Sequence, residues 1–175
     1  MVIPLLGDIS NLNGHVDVIV NAANKTLSRG SGVCGAIFGA CNDPEALQHE
    51  CNTLVSLRGH LREGCLYVTK PYGLKCHSIY HVLGPIVGPD DMYVNKVLNL
   101  TKCYVGCIDK LIRDNHRSIA IPVISTGVYG YDKWAGIELA YTVLNNCVLN
   151  TTVTAFLVCF DKEGYDYAMQ LHSIR

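Results

Sequence analysis

Short apolar runs alternate with longer amphipathic segments along most of the chain, and this alternation predicts its secondary structure. Apolar runs predict strands at 2–6, 16–20, 65–69, 78–83, 118–124 and 153–160. Helical periodicity and capping residues predict helices at 32–41, 43–59, 90–114, 133–147 and 165–172. Strands that alternate with helices predict a three-layer α/β/α fold, in which helices cover both faces of a mostly parallel sheet of about six strands.

In such a sheet ligands bind beyond the carboxyl ends of the strands, and the unusual residues of this chain fall there. The strand at 16–20 leads into segment 21–35, which holds two asparagines followed by three glycines. The strand at 118–124 leads into segment 125–130, which reads STGVYG. Glycines after a strand let backbone N–H groups approach a phosphate at a helix N-terminus. Two such turns predict one phosphate-bearing ligand that is held from two sides.

Gly30, Gly32 and Gly35 formally match the dinucleotide-binding fingerprint, but the context of that motif is missing. Nine residues separate Val20 from Gly30, whereas the fingerprint places its first glycine directly after the strand. The region near Glu50, where the acidic ribose ligand would end a second strand, has the pattern of a helix. The motif therefore indicates a diphosphate near a helix N-terminus and not a nicotinamide cofactor.

Two acidic positions next to strand ends each admit a structural and a functional interpretation. Asp8 either caps a turn or accepts a hydrogen bond from an exocyclic amine such as that of adenine. Phe160 and Asp161 are either a core aromatic followed by a helix cap, or a stacking face for a base with a carboxylate beside its ribose. His77 and His81 are four residues apart, but no carboxylate or cysteine completes a metal site, and both are expected to be structural.

Composition narrows the class of protein. The 175 residues carry 14 basic and 15 acidic side chains, so the net charge of −1 argues against nucleic acid as the main partner. The nine cysteines are odd in number and contain no C-x-x-C pair, which favours reduced thiols over zinc ligands or disulfides. The first residues lack the basic region of a signal peptide and no run is long enough to span a membrane, so we expect a cytoplasmic protein.

Five segments together resemble the macrodomain family of ADP-ribose-binding proteins: LLGDIS, DVIVNAAN, GSGVCGAIF, HVLGP and PVISTGVYG, in the family's order and spacing. Within the family the chain is most similar to the viral macrodomains, or X domains, of coronavirus and alphavirus replicase polyproteins. The resemblance implies that residues 1–175 form a single macrodomain that takes ADP-ribose as its ligand and needs neither a cofactor nor a metal.

The resemblance also assigns roles to residues. Asp8 would hold the adenine amine beside the Ile9 N–H, Phe160 would stack on adenine, and Asp161 would lie near the proximal ribose. Backbone N–H groups of the two glycine-containing turns would hold the diphosphate, and Asn24 would bond to the distal ribose. The implied ligand-binding set is Asp8, Ile9, Asn21, Ala22, Asn24, Gly30, Ser31, Gly32, Val33, Pro122, Ser125, Thr126, Gly127, Val128, Tyr129, Phe160 and Asp161, and the catalytic residues would be Asn24, Tyr129 and Gly32.

The activity that the resemblance implies is hydrolysis of mono-ADP-ribose from modified proteins, with aspartate and glutamate esters as the expected linkages. The partners would be mono-ADP-ribosylated proteins, the chain would act as a monomer, and a viral member would work in the host cytoplasm against antiviral signalling. The alternative is a binding module that reads ADP-ribose or poly-ADP-ribose without hydrolysing it. Two departures from the family pattern keep this alternative open, namely Arg29, where some relatives have histidine, and Ser31, which interrupts a run of glycines.

Overall fold

Six strands form one sheet with five α-helices around it in the computed structural model, which describes residues 1–174. The strands are β1 (Val2–Leu6), β2 (Val18–Ala22), β3 (Leu66–Thr69), β4 (Ser78–Val82), β5 (Ser118–Pro122) and β6 (Thr154–Cys159). The helices are α1 (Gly32–Ala40), α2 (Pro44–Arg58), α3 (Tyr93–Arg113), α4 (Lys133–Val148) and α5 (Lys162–Ser173), and a short 3-10 helix covers Ile9–Leu12.

The strand order is β1-β6-β5-β2-β4-β3, and every neighbouring pair is parallel except the edge pair of β3 and β4. The predicted α/β fold with a mostly parallel sheet is therefore confirmed. Because five strands run in one direction, the loops that follow β1, β2, β4, β5 and β6 emerge at the same edge of the sheet. These loops include the segments that sequence analysis singled out.

The sheet separates two hydrophobic cores, as its sequence pattern requires. Val18, Ile19 and Val20 of β2 are all fully buried, and successive side chains point to opposite faces. Val18 and Val20 join a core formed with α3 and α4, whereas Ile19 joins a core formed with α1 and α2. A strand that is buried on both faces reads as a continuous apolar run, which is why β2 shows no alternation.

Most elements begin or end within three residues of the sequence-based expectation, and the structure gives a cause for two of these shifts. β2 occupies 18–22 instead of 16–20, because the Asp17 carboxylate accepts the backbone N–H groups of Arg117 and Ser118 at 2.8 and 2.9 Å and so fixes the chain before the strand starts. α5 begins at Lys162 instead of 165, because the Asp161 side chain accepts the Gly164 N–H at 2.8 Å and caps the helix.

All nine cysteines are free thiols, and most of them are buried in the two cores. Cys103 and Cys107, one turn apart on α3, are among them, and burial raises the pKa of both thiols. These thiols act as small apolar core residues. Within residues 1–174, no helix has the length and apolar character needed to cross a membrane.

Candidate functional site

A cleft of about 750 Å³ opens at the carboxyl ends of β1, β2, β5 and β6. This volume suits a ligand of nucleotide size. Every residue of the ligand-binding set given above lines the cleft, from Asp8 to Asp161, with the exception of Asn21. The fold therefore brings together loops that are remote from one another in the sequence.

One wall of the cleft is the segment 125–130 that follows β5. Ser125 takes a positive φ of 68°, and its carbonyl accepts the Tyr131 N–H at 3.0 Å, so that the segment closes on itself. The Gly130 N–H donates to the Gly127 carbonyl at 3.0 Å. In the described part of the chain, the backbone N–H groups of residues 126–129 have no acceptor. The segment thus brings four unpaired donors to the cleft.

Gly84, in the HVLGP segment after β4, is the residue that lets this wall form. A Cβ atom at Gly84 would lie 2.1 Å from Ser125 Oγ and 2.4 Å from Ile124 Cγ2. Any larger residue would force the side chains of Ser125 and Ile124 to move. Ser125 itself has a left-handed backbone conformation, which is uncommon for a residue other than glycine. The glycine is required by packing behind the cleft and not by contact with a ligand.

The opposite wall is the N-terminus of α1. Ser31 caps this helix without a side-chain hydrogen bond, and Gly32 has a φ of 58°. A Cβ at Gly32 would meet no protein atom within 4 Å, so within the protein glycine is required by the backbone conformation and not by a close contact. The first N–H groups of a helix have no intrahelical acceptor and carry a partial positive charge. Both walls therefore present backbone donors suited to an anion.

Asn24 lies between the two walls, in the loop that follows β2. Its side-chain carbonyl accepts the N–H groups of Thr26 and Ser28 at 3.2 and 3.1 Å and the Thr26 hydroxyl at 2.9 Å. Its side-chain amide donates one hydrogen to the Ser28 carbonyl at 2.8 Å. An amide nitrogen carries two hydrogens, so one donor is left for a ligand. Asn24 therefore orders its loop through its carbonyl oxygen and one N–H, and its second side-chain N–H is available to a ligand.

Tyr129 packs beside this loop, as its hydroxyl oxygen lies 3.5 Å from the Ala23 carbonyl oxygen. Burial raises the pKa of the Tyr129 phenol, so the group stays protonated at neutral pH. It can donate a hydrogen bond but cannot serve as a base.

The other end of the cleft contains an exposed aromatic ring and two carboxylates. The Phe160 side chain is 86% exposed, which is unusual for a phenylalanine that directly follows a buried strand. Asp8 accepts the N–H and the hydroxyl of Ser10 at 2.8 Å and caps the 3-10 helix. Asp161 caps α5 as described above. Each aspartate thus caps a helix and also lines the cleft, so the two roles coexist at both positions. The interpretation of Phe160 as a core aromatic is wrong, because the ring is exposed.

Within residues 1–174, Lys133 is the one cationic side chain that lines the cleft. Its Nζ lies 2.8 Å from Asp161 Oδ1, and this hydrogen bond lowers the pKa of the Asp161 carboxyl. Lys133 is therefore neutralised by its partner. A negatively charged ligand would be held mainly by the backbone donors of the two walls.

The structure does not place Asn21 in the lining of the cleft, in contrast to the ligand-binding role expected from the sequence. Asn21 is 1% exposed and lies inside β2, where it pairs with His81 in β4, because the strand extends two residues further than the apolar run indicates. Its side-chain nitrogen lies 3.0 Å from His81 Nδ1 and 3.6 Å from Cys34 Sγ. Asn21 does not line the cleft, and its side chain contacts Cys34, which does. His81 is a buried structural residue, as the sequence indicates.

The burial of His81 has a consequence for stability. Burial lowers the pKa of this histidine to about 4, whereas an unfolded histidine has a pKa near 6.5. Between these values the unfolded chain binds a proton that the folded chain does not, so stability is lost as the pH falls from about 6.5 to about 4. We expect a loss of about 2 kcal/mol in the free energy of unfolding between pH 7 and pH 4.5. Urea denaturation at pH 7 and pH 4.5 measures it, and His81→Gln should lack this part of the pH dependence.

Several residues that line the cleft were not expected from the sequence, among them Cys34 and Lys133. Cys34 sits within the GSGVCGAIF segment, but a cysteine among apolar residues carries no signal of its own. Lys133 follows a helix-capping aspartate and reads as a surface residue. The position of Lys133 in the cleft and its contact with Asp161 could be found only from the fold.

Comparison with known proteins agrees with this geometry. The sequence model of the family described as Macro domain matches residues 20–140. An O-acetyl-ADP-ribose deacetylase of Klebsiella pneumoniae (strain 342) is 38% identical over 171 residues, covering 91% of this chain and 89% of that protein. A protein of the same name from Enterobacter cloacae is 37% identical over 161 residues, covering 90% of this chain and 85% of that protein.

Solved structures show the same fold. The Oceanobacillus iheyensis macrodomain with ADP has a TM-score of 0.88 and 28% identity, covering 98% of this chain and 89% of that one. The Trypanosoma brucei macrodomain in complex with ADP has a TM-score of 0.83 and 27% identity, covering 97% of this chain and 67% of that one. The curated relatives named above are bacterial, so they support the family and do not support the viral subgroup that the sequence suggested.

Proposed function

Because this chain belongs to the Macro domain family, we propose that it binds ADP-ribose in the cleft and hydrolyses a carboxylate ester of the distal ribose. The observation that carries the proposal is the pair of facing walls, which direct unpaired backbone donors at one cleft. A diphosphate between them would receive hydrogen bonds from residues 126–129 on one side and from 32–33 on the other. Backbone donors that bind an anion in this way are already oriented before the ligand arrives.

The adenine end of the ligand would lie at Phe160, where an exposed ring can stack on a base and Asp8 can accept the exocyclic amine. Since the Asp8 bonds described above all go to Oδ1, its second oxygen is the expected acceptor. Asp161 and Lys133 would lie near the proximal ribose. This orientation places the distal ribose beside Asn24 and Tyr129.

Phe160→Ala tests this orientation. Base stacking on an aromatic ring is worth about 1–3 kcal/mol, so we expect ADP-ribose affinity to fall by about tenfold. The free energy of unfolding should change by less than about 0.5 kcal/mol, because the ring is almost fully exposed. Calorimetry and thermal denaturation measure the two quantities. Unchanged affinity would place the base elsewhere.

The reaction follows from what surrounds the distal ribose. An asparagine amide cannot take a proton at neutral pH, so Asn24 would orient the attacking water or a ribose hydroxyl. A diphosphate oxygen of the ligand would accept the proton of that water. Water adds to the ester carbon, the bond from that carbon to the ribose oxygen breaks, and the proton returns to the ribose oxygen. A mechanism that depends on positioning without a strong base predicts slow turnover.

Two substrates fit this chemistry, since both present an ester on ADP-ribose. One is O-acetyl-ADP-ribose, from which the named bacterial relatives take their name. The other is a protein that carries mono-ADP-ribose on an aspartate or glutamate. The second candidate function is a non-catalytic reader of ADP-ribose, and it is favoured by the commitment of the Asn24 carbonyl to its own loop.

The test combines binding with turnover on the wild-type protein. Calorimetry with free ADP-ribose measures binding, acetate release from O-acetyl-ADP-ribose measures deacetylation, and loss of label from a mono-ADP-ribosylated protein measures the second hydrolysis. Binding with release of acetate or of label supports the proposal. Binding without either release identifies a reader, and absence of binding refutes the assignment of the cleft.

A further inference from the structure

Beneath the cleft lies a chain of buried polar side chains that the proposed reaction does not use. Thr69, His81 and Asn21 come from three neighbouring strands, β3, β4 and β2, and none is more than 2% exposed. Thr69 Oγ1 lies 2.8 Å from His81 Nε2, and His81 Nδ1 lies 3.0 Å from Asn21 Nδ2. The three side chains therefore form one continuous hydrogen-bonded chain across the sheet.

The orientation of the Asn21 side-chain amide sets the direction of these hydrogen bonds. An amide nitrogen can only donate, so His81 Nδ1 accepts from Asn21 and the ring carries its proton on Nε2, from which it donates to Thr69. This orientation leaves Asn21 Oδ1 buried without a hydrogen-bond partner among the described residues, an arrangement that proteins rarely keep.

The side-chain nitrogen of Asn21 also contacts Cys34, a residue that lines the cleft. Asn21 Nδ2 donates to Cys34 Sγ at 3.6 Å, and the same sulfur accepts the Gly30 N–H at 3.4 Å. The Cys34 thiol lies 3.8 Å from the Ser28 carbonyl, which is the carbonyl that receives the Asn24 amide. Cys34 therefore joins the buried chain to the loop that carries Asn24.

The loop itself depends on side chains for its shape. Its successive backbone N–H groups at 28, 29 and 30 bind the side chains of Asn24 at 3.1 Å, Gln48 at 2.7 Å and Cys34 at 3.4 Å, respectively. Of these three, Cys34 also contacts the sheet interior through Asn21. The buried side chain of Asn21 thus helps to fix the position of the loop through Cys34.

We propose that Thr69, His81 and Asn21 act through Cys34 to position the loop 28–32 and the Asn24 amide for the reaction. Cys34 is then a positioning residue and touches neither the water nor the ester. This inference rests on the proposed function, because its readout is hydrolysis. It predicts that loss of the thiol contacts affects turnover more than ligand binding, since the diphosphate is also held by residues 126–129.

The test measures kcat and KM for acetate release, together with ADP-ribose affinity. Cys34→Ala is expected to lower kcat by about tenfold, the equivalent of one lost hydrogen bond, with affinity within about threefold of wild type. Cys34→Ser should restore most of the loss, because a hydroxyl can accept the Gly30 N–H. The matched control is Cys41→Ala, which removes a buried thiol at the other end of α1 and should leave kcat unchanged.

A double-mutant cycle tests the chain as a whole. Thr69→Val cuts its far end, and its effect on kcat should largely disappear in the Cys34→Ala background, because both changes act through one path. If Cys34→Ala does not fold, the same cycle with Cys34→Val decides, because valine is close to cysteine in size and cannot accept the Gly30 N–H. Additive effects, or a wild-type kcat in Cys34→Ala, overturn the inference. A wild-type protein that hydrolyses neither ester refutes instead the proposed function, before any variant is made.

Discussion

Replacing Asn24 with alanine is expected to lower kcat for ester hydrolysis by about 100-fold, the scale of a misplaced reactive group. The reason is that the variant loses the amide hydrogen available to the ribose or the water, and also the side-chain bonds that order residues 26–28. ADP-ribose affinity should fall by less than about tenfold, because the diphosphate and adenine contacts remain. Single-turnover release of acetate and calorimetry measure the two effects.

Thr26→Val separates the two causes. It removes the hydroxyl that donates to Asn24 Oδ1 and keeps the Asn24 amide, so kcat should fall by less than about tenfold. If Asn24→Ala were as fast as wild type, its role in hydrolysis would be refuted. If binding and turnover fell equally, Asn24 would be a ligand-binding residue only.

Val128→Pro is expected to weaken ADP-ribose binding by about 10- to 100-fold, which corresponds to one hydrogen bond to a charged group. Proline has no N–H, so the variant deletes one donor from the wall at 126–129. The Val128 side chain is 97% exposed, and its loss removes almost no packing. Titration calorimetry measures the affinity, and thermal denaturation reports any change in the fold.

Val128→Ala is the matched control, since it shortens the same side chain and keeps the N–H. Its affinity should stay within about twofold of wild type, as expected for an exposed surface position. Equal loss of affinity in both variants would show that the valine side chain, and not its backbone donor, contacts the ligand.

The sequence was sufficient to predict the fold class and the existence of nearly every element, because each is marked by a local pattern. Strands buried on both faces read as apolar runs, and Asp43 and Gly59 mark the ends of α2 with the expected cap residues. The direction of β3 could not be predicted, since the period of two is the same in parallel and antiparallel pairs. The position of β2 was shifted, because its end is set by pairing with β4 and not by its own hydrophobicity.

The site was predictable to the extent that function requires unusual residues at strand ends. Gly30, Gly32 and Gly127 stand out there together with Asn24 and Phe160, and all of them line the cleft, whereas Gly35 and Gly130 do not. The buried partners of these residues did not stand out. His81 and Cys34 have neighbours like those of ordinary core residues, and their contact through Asn21 joins positions far apart in the chain. Such hydrogen bonds follow from the strand order, which local patterns do not specify.

The composition of the two cleft walls has a consequence for how the protein would respond to its ionic surroundings. Sites built from lysine and arginine release counterions when they bind phosphate, so their affinity drops steeply with added salt. Here Lys133, the one cationic side chain that the described residues bring to the cleft, is already paired with a carboxylate, and the available donors are uncharged amides. The affinity for ADP-ribose should therefore change little between low and high salt concentration. Selection between anions would depend on shape instead of net charge.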